Sequence, residues 1–287
     1  MKPAIHTSAF SAYDRAGALR EISRLGYRYV ELAADLSETP HFAAHAAGDE
    51  DIRALRAQLD LYGLELAAID IGGWDPPLCI AQLDEDHRTR AVAHLGNAID
   101  AAGALGCGLL TAHLWGLPTA PETEPALRAA LQQSIAALCP RLETRGSHLN
   151  FMPHPGGFIE ESDPTIDLIR TTGCPHLGYT YGISHTFGIA QPDQDAAGII
   201  DYAGDLLTHV LISDTHAPWR IIAPPAVKAH QLLVPGQGDI DFGPILAALA
   251  RRGYGGYLCA HLISERDRIH QAASATRERL ERWLAAC

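Results

Sequence analysis

Fifteen of the 287 residues are histidine, and several of these stand at the ends of apolar runs, beside carboxylates. The segment HVLISDTH, residues 209–216, closes a β-branched run on Asp214 and His216. Side chains at i and i+2 leave an extended strand on the same side. CAHL carries His261, GISH carries His185, MPHP carries His154, and TAHLWG sets His113 beside Trp115. PAIH and AAID end on His6 and Asp70. Imidazole titrates near pH 6.5, so it can take and return a proton near neutrality. Neutral imidazole also binds metal, alone or with carboxylates. Two chemistries therefore stand open. One is a metal-free acid–base site in which Asp214 orients and charges a histidine; the other is a divalent-metal site.

Each candidate has a plainer alternative. Trp115 offers a flat face for a ligand to stack on, with His113 beside it, but core packing explains the pair equally well. Asp70 could bind a substrate hydroxyl or cap the GGW turn that follows it. Glu31 could anchor an interior layer, and Glu160 and Glu161 read as solvated loop charges. Trp219, Lys228 and His230 fall in a long Pro-rich connection, where Lys228 would meet an anionic group of a substrate.

The elements that must position these residues are marked by glycines. A helical stretch, a glycine and a short apolar run recur at Gly26, Gly63, Gly106, Gly146, Gly173, Gly204 and Gly253. Glycine just past a helix is the common left-handed cap, so each marks a helix passing into a strand. With the opening PAIHTSA this gives eight strands, near 3–9, 27–33, 64–71, 108–113, 148–153, 177–182, 207–213 and 255–261. Strands alternating with helices specify a parallel sheet, and eight of them specify an α/β single (β/α)8 TIM barrel over residues 1–287. The competing arrangement is an open doubly wound sheet. No GxGxxG follows the first strand, which removes the usual nucleotide-cofactor reading. Residues 215–240 form the longest connection and are a candidate lid.

Composition narrows the function classes. An apolar fraction of 47% supports a large core, and a net charge of −12 argues against nucleic acid as partner. The six cysteines lack CxxC spacing and read as reduced thiols packed in a core. No signal-peptide core or membrane-length apolar run is present in the sequence. The expectation is a cytoplasmic protein acting on a small molecule, with no membrane partner.

Several stretches resemble the xylose-isomerase-like barrel superfamily of sugar isomerases, epimerases, inosose dehydratases and AP endonucleases. They are GYRYVELAA, TAHLWG, MPHPGGF, GYTYGISHTFG, THVLISDTHAP and VPGQGDIDFGPILAALARRGYGGYL. PGQGDIDF followed by GYGGYL is the most specific of these, and together they touch strand two and strands four to eight. The resemblance implies a metal held from strands five, six, seven and eight, by Glu, Asp, His and Glu. The matching positions here are Met152, Gly182, Leu211 and His261. Three of these cannot hold a hard divalent ion, and the family's glutamate acid–base pair is gone with them. The endonuclease branch implies a second set, which here reads His185, Asp214, His216 and His261. Such a His3Asp set would suit Zn, Mn or Fe. The cofactor expectation is thus either none or one divalent metal at this non-standard site.

The resemblance implies an isomerase or epimerase that moves a proton next to a carbonyl on a small polyhydroxylated or keto substrate. The catalytic candidates are His154, His185, Asp214, His216 and His261. His6, Asp70, His113, Trp115 and Trp219 are the substrate-binding candidates. The alternatives are a metal-free lyase, dehydratase or rearrangement enzyme, and a non-catalytic sugar-binding or accessory barrel. Endonuclease activity would need the lost carboxylate cluster and a basic groove. Members of that family often associate through helical faces, so the resemblance leaves the oligomeric state open, a homo-oligomer included.

Overall fold

The computed structural model describes the chain except residues 38, 73–78, 115–121, 155–157, 190–194, 217–219, 222–227, 230 and 287. In chain order the strands are β1 (Lys2–His6), β2 (Tyr29–Leu36), β3 (Glu65–Gly72), β4 (Leu109–His113), β5 (His148–Met152), β6 (Leu177–Gly182) and β7 (Leu207–Ile212). A short antiparallel ladder of β8 (Arg220–Ile221) and β9 (Lys228–Ala229) precedes β10 (Tyr257–Ala260). All the strands except β8 and β9 pair in parallel and close as β1-β10-β7-β6-β5-β4-β3-β2. This is the (β/α)8 barrel, not the open sheet. The β8–β9 ladder lies in the candidate lid, and Trp219 and His230 fall outside the described residues.

The outer layer comprises α1 (Arg15–Arg24), α2 (Asp49–Tyr62), α3 (Glu85–Leu105), α4 (Glu124–Arg145), α5 (Ser162–Thr172), α6 (Ile183–Ile189), α7 (Ala196–Ala203), α8 (Phe242–Arg251) and α9 (Ile269–Ala286). The seven predicted handover glycines all have positive φ, from 59° at Gly204 to 82° at Gly26. The first strand ends earlier than the expected residue 9. His6 Nδ1 accepts from the Ser8 amide at 3.2 Å and caps a 3-10 turn over Thr7–Phe10. No helix among the described residues is long and apolar enough to cross a membrane.

The core between sheet and helices includes Ile5, Phe10, Leu32 and Phe151, all fully buried. Each such side chain contributes roughly 1.5–3 kcal/mol on burial. A smaller cluster of Ala4, Ala67, Met152, Leu211 and Cys259 fills the barrel interior. The cysteine expectation needs correction for one pair: Cys139 on α4 is disulfide-bonded to Cys174, just after α5, with Cα atoms 6.0 Å apart. The two are 35 residues apart in sequence and meet only because α4 and α5 are neighbours. Cys79, Cys107 and Cys259 are free and buried.

Candidate active site

Five imidazoles form a continuous chain across the end of the barrel where the strands terminate. His113 ends β4, and its ring stacks on His154 with centroids 4.9 Å apart and planes at 16°. His154, two residues beyond β5, lies 4.8 Å from the ring of His185. His185 sits in the first turn of α6 and faces His261, just beyond β10, at 6.1 Å and 20°. His261 lies 4.6 Å from His6 at the end of β1. Asp70 on β3 adds a carboxylate, with Oδ2 3.2 Å from His6 Nε2. Parallel strands in a closed barrel bring these ends together although they are far apart in sequence. His6, His154, His185, His261 and Asp70 are buried, and His113 is half-buried.

Gly182 makes room for this arrangement. A Cβ there would stand 3.0 Å from both His185 Nδ1 and Met152 Sδ. His6 is held at both nitrogens. The Ser8 amide donates to Nδ1 at 3.2 Å, with the Ser8 hydroxyl at 2.7 Å. The ring proton therefore stands on Nε2 and is donated to Asp70, an assignment made from the hydrogen-bond pattern. Asp70 also accepts from the Gly72 amide at 3.0 Å, so it caps the turn and orients His6 at once. Burial works to raise the Asp70 carboxyl, but the hydrogen bond from His6, with the His6 and His113 rings beside it, holds it well below the usual carboxylate range.

One layer deeper, His209 Nε2 meets Glu31 Oε2 at 2.8 Å, with both side chains fully buried. Burial again works upward on Glu31, and the facing His209, followed by His6, leaves its carboxyl below the usual range. Cys259 completes a group whose ligand-type atoms lie within 4.8 Å of one another. Burial and then the Glu31 charge push its thiol well above the ordinary value, so with no metal bound it stays protonated at neutral pH. The sequence reading gave Glu31 an anchoring role and missed His209. The missed signal was alternation: His209 shares the inward parity of Leu211.

Two expectations need correction. Asp214 was expected among the imidazoles, but its buried carboxylate is taken up by the loop. Oδ1 accepts from the amides of Thr215 at 2.9 Å and Ile240 at 3.2 Å. Oδ2 accepts from Gly236 at 2.7 Å and Gly238 at 2.8 Å. Four donors account for the carboxylate's ordinary acceptor capacity. His216, also expected there, is exposed and pairs with Asp239 at 3.3 Å. Asp214 has the parity of Val210 and Ile212, which face the helices, and so points away from the mouth. The His185, Asp214, His216, His261 metal set is therefore not assembled, and only His185 and His261 share the mouth. Trp115 and Trp219 lie outside the described residues.

The residues at the superfamily's metal positions do not fit a hard divalent ion. Met152 and Leu211 pack together in the apolar interior cluster, and Gly182 has no ligand atom.

A closed parallel barrel with ionisable groups converging at the strand ends is the architecture of a (β/α)8 enzyme. The model of the xylose isomerase-like TIM barrel family matches residues 19–287, and the chain belongs to that family. It is similar to the rhizopine catabolism protein MocC of Rhizobium meliloti, 27% identical over 248 residues, covering 81% of this chain and 74% of that protein. It is also similar to an inosose dehydratase of Geobacillus kaustophilus (strain HTA426), 24% identical over 263 residues, covering 86% and 79% respectively. Among solved structures, a D-tagatose 3-epimerase-like protein superposes with a TM-score of 0.80 at 16% identity, covering 100% of this chain and 98% of the other; at that identity the likeness speaks to fold. The family and these relatives support an enzymatic function.

Proposed function

We propose that this chain catalyses proton transfer at the carbon next to a carbonyl in a small polyhydroxylated or keto substrate, using imidazoles at the barrel mouth. The observation that carries this reading is the unbroken chain His113–His154–His185–His261–His6, ended by Asp70. A ring nitrogen of one of the inner histidines His154, His185 and His261 takes the proton from carbon as the C–H bond breaks. The electron pair moves into an enediolate, which a second imidazolium protonates. Return of the proton to the other face or the other carbon gives epimerisation or isomerisation. His6 is a positioning residue, because its proton is committed to Asp70 and its face is set against His261. His113 and Trp115, and Trp219 on the long connection, are proposed to contact the substrate.

A dehydratase outcome is the second reading, and the similarity to inosose dehydratase favours it. The same enediolate would then expel a β-hydroxyl, which leaves as water with the proton of an imidazolium.

The test is solvent deuterium exchange into keto-polyols and ketohexoses, followed by NMR, in the wild type and in His154→Gln and His185→Gln. Exchange in the wild type that falls at least about 100-fold in both variants is expected. Exchange left unchanged by both, or absent from the wild type, refutes the reading. The product separates the two outcomes: an epimer or isomer in one case, a dehydrated diketone in the other.

A further inference from the structure

We propose that Asp35, His45 and His94 form a divalent-cation site, apart from the barrel mouth, for a borderline ion of the Zn2+, Co2+ or Ni2+ class. Asp35 lies near the end of β2, His45 on the 3-10 turn over Ala44–Ala46, and His94 on α3. One ligand-type atom from each lies within 4.8 Å of the other two. The imidazoles stack with centroids 4.0 Å apart and planes at 15°, and both bring a nitrogen to the same carboxylate. His45 Nδ1 is 2.8 Å from Asp35 Oδ1, and His94 Nε2 is 3.4 Å from Oδ2.

The second pair is poorly satisfied. His94 Nε2 and Asp35 Oδ2 are buried and face each other without hydrogen-bond alignment. Buried polar atoms left in this state cost free energy, and an ion between them would satisfy both. The carboxylate itself is fully buried, and the ion pairs it makes are to these two imidazoles. The backbone has been bent to aim it: Asp35 has φ +49°, a left-handed conformation among non-glycine residues, and the β2–β3 register shifts between Ala33 and Leu36. Such strain persists where surrounding structure enforces it, often at ligand sites.

Bonds of 2.0–2.2 Å in a tetrahedral shell set the donor atoms on one ion roughly 3.3–3.6 Å apart. The two nitrogen–carboxylate separations, 2.8 and 3.4 Å, already meet that spacing, and a pair at the 4.8 Å bound would need a contraction of up to roughly 1.4 Å. His45 can supply it, since its side chain is 40% exposed and rides on a short turn. It also lines an open cleft of ≈ 510 Å3 with Arg15, Asp35, His41 and Asp51, which gives an ion a route in from solvent. Two imidazoles and one carboxylate suit borderline divalents, whereas Mg2+ and Ca2+ prefer all-oxygen shells. A bound ion would tie the 35–46 segment to α3.

Metal-free protein would be titrated with Zn2+ by calorimetry and with Co2+ by ligand-field absorption. The variants are His45→Ala, His94→Gln and, as a control at the mouth, His185→Gln. The expected result is one equivalent that survives in His185→Gln and weakens in both His45→Ala and His94→Gln by at least the roughly 10–100-fold that loss of even an outer-shell partner costs. The thermal shift produced by Zn2+ should disappear in the same two variants. Binding that is absent from the wild type, or unchanged by His45→Ala, overturns the proposal. His45→Ala changes a half-exposed side chain, so a folding failure at His94 leaves the outcome decided.

Discussion

Replacing Asp214 by Asn separates a structural role from a catalytic one. Asn keeps the size and shape of the side chain but turns one acceptor oxygen into a donor. Whichever oxygen is replaced, two of the four backbone amides lose their partner: Thr215 and Ile240 for Oδ1, or Gly236 and Gly238 for Oδ2. A hydrogen bond to a charged group contributes about 1.5–3 kcal/mol, so the loss is about 3–6 kcal/mol. With an unfolding entropy of about 2 cal/mol/K per residue, a chain of 287 residues should melt roughly 5–10 °C lower. Calorimetry gives the melting temperature, and deuterium exchange at a temperature where the variant is still folded gives the activity. The expected pair of results is a lower melting temperature with exchange rates within a few-fold of the wild type. Unchanged melting with abolished exchange would mean that Asp214 acts on the substrate and that the loop assignment is wrong.

Three further outcomes follow from other parts of the molecule. Gly238→Ala would place a Cβ 2.4 Å from Asp214 Oδ1 and 2.5 Å from the Thr215 carbonyl oxygen, so a loss of about 1–3 kcal/mol is expected in denaturant unfolding. Asp70 is held below its unfolded value, so its stabilising contribution is full above about pH 4 and is lost as pH falls through its folded value. Asp70→Asn should flatten the acid limb of the stability curve, and an unchanged limb would contradict the His6–Asp70 assignment. Reducing the Cys139–Cys174 bridge, which spans 35 residues, should cost about 4 kcal/mol on the chain-entropy model. Melting with and without reductant, with thiol counting by mass spectrometry, measures this.

Periodicity carried the fold, and parity limited the site. Glycine caps and alternating elements mark out eight strand–helix units because they report local backbone chemistry, and each of the seven caps occupies the conformation that only glycine adopts cheaply; closure itself shows in the strand order. The histidines His113, His154, His185 and His261 were legible because the ends of parallel strands must converge whatever the loops do. Asp214 was misplaced for the opposite reason: its type suited the site, and its position was one residue out of phase. Counting from Leu211, which packs inside with Met152 and Cys259, puts His209 inward and Asp214 outward. The backbone amides of PGQGDI then claim the carboxylate. That loop motif and the DTH motif are two halves of one structural unit, and a metal-site reading of either half alone leaves the other without a task. The Asp35–His45–His94 group left no such trace, because its residues come from a bent strand end, a short turn and a helix. No strand or helix period relates those positions, so only the folded chain brings them together. The same holds for Cys139 and Cys174, which share no motif and meet through helix packing alone.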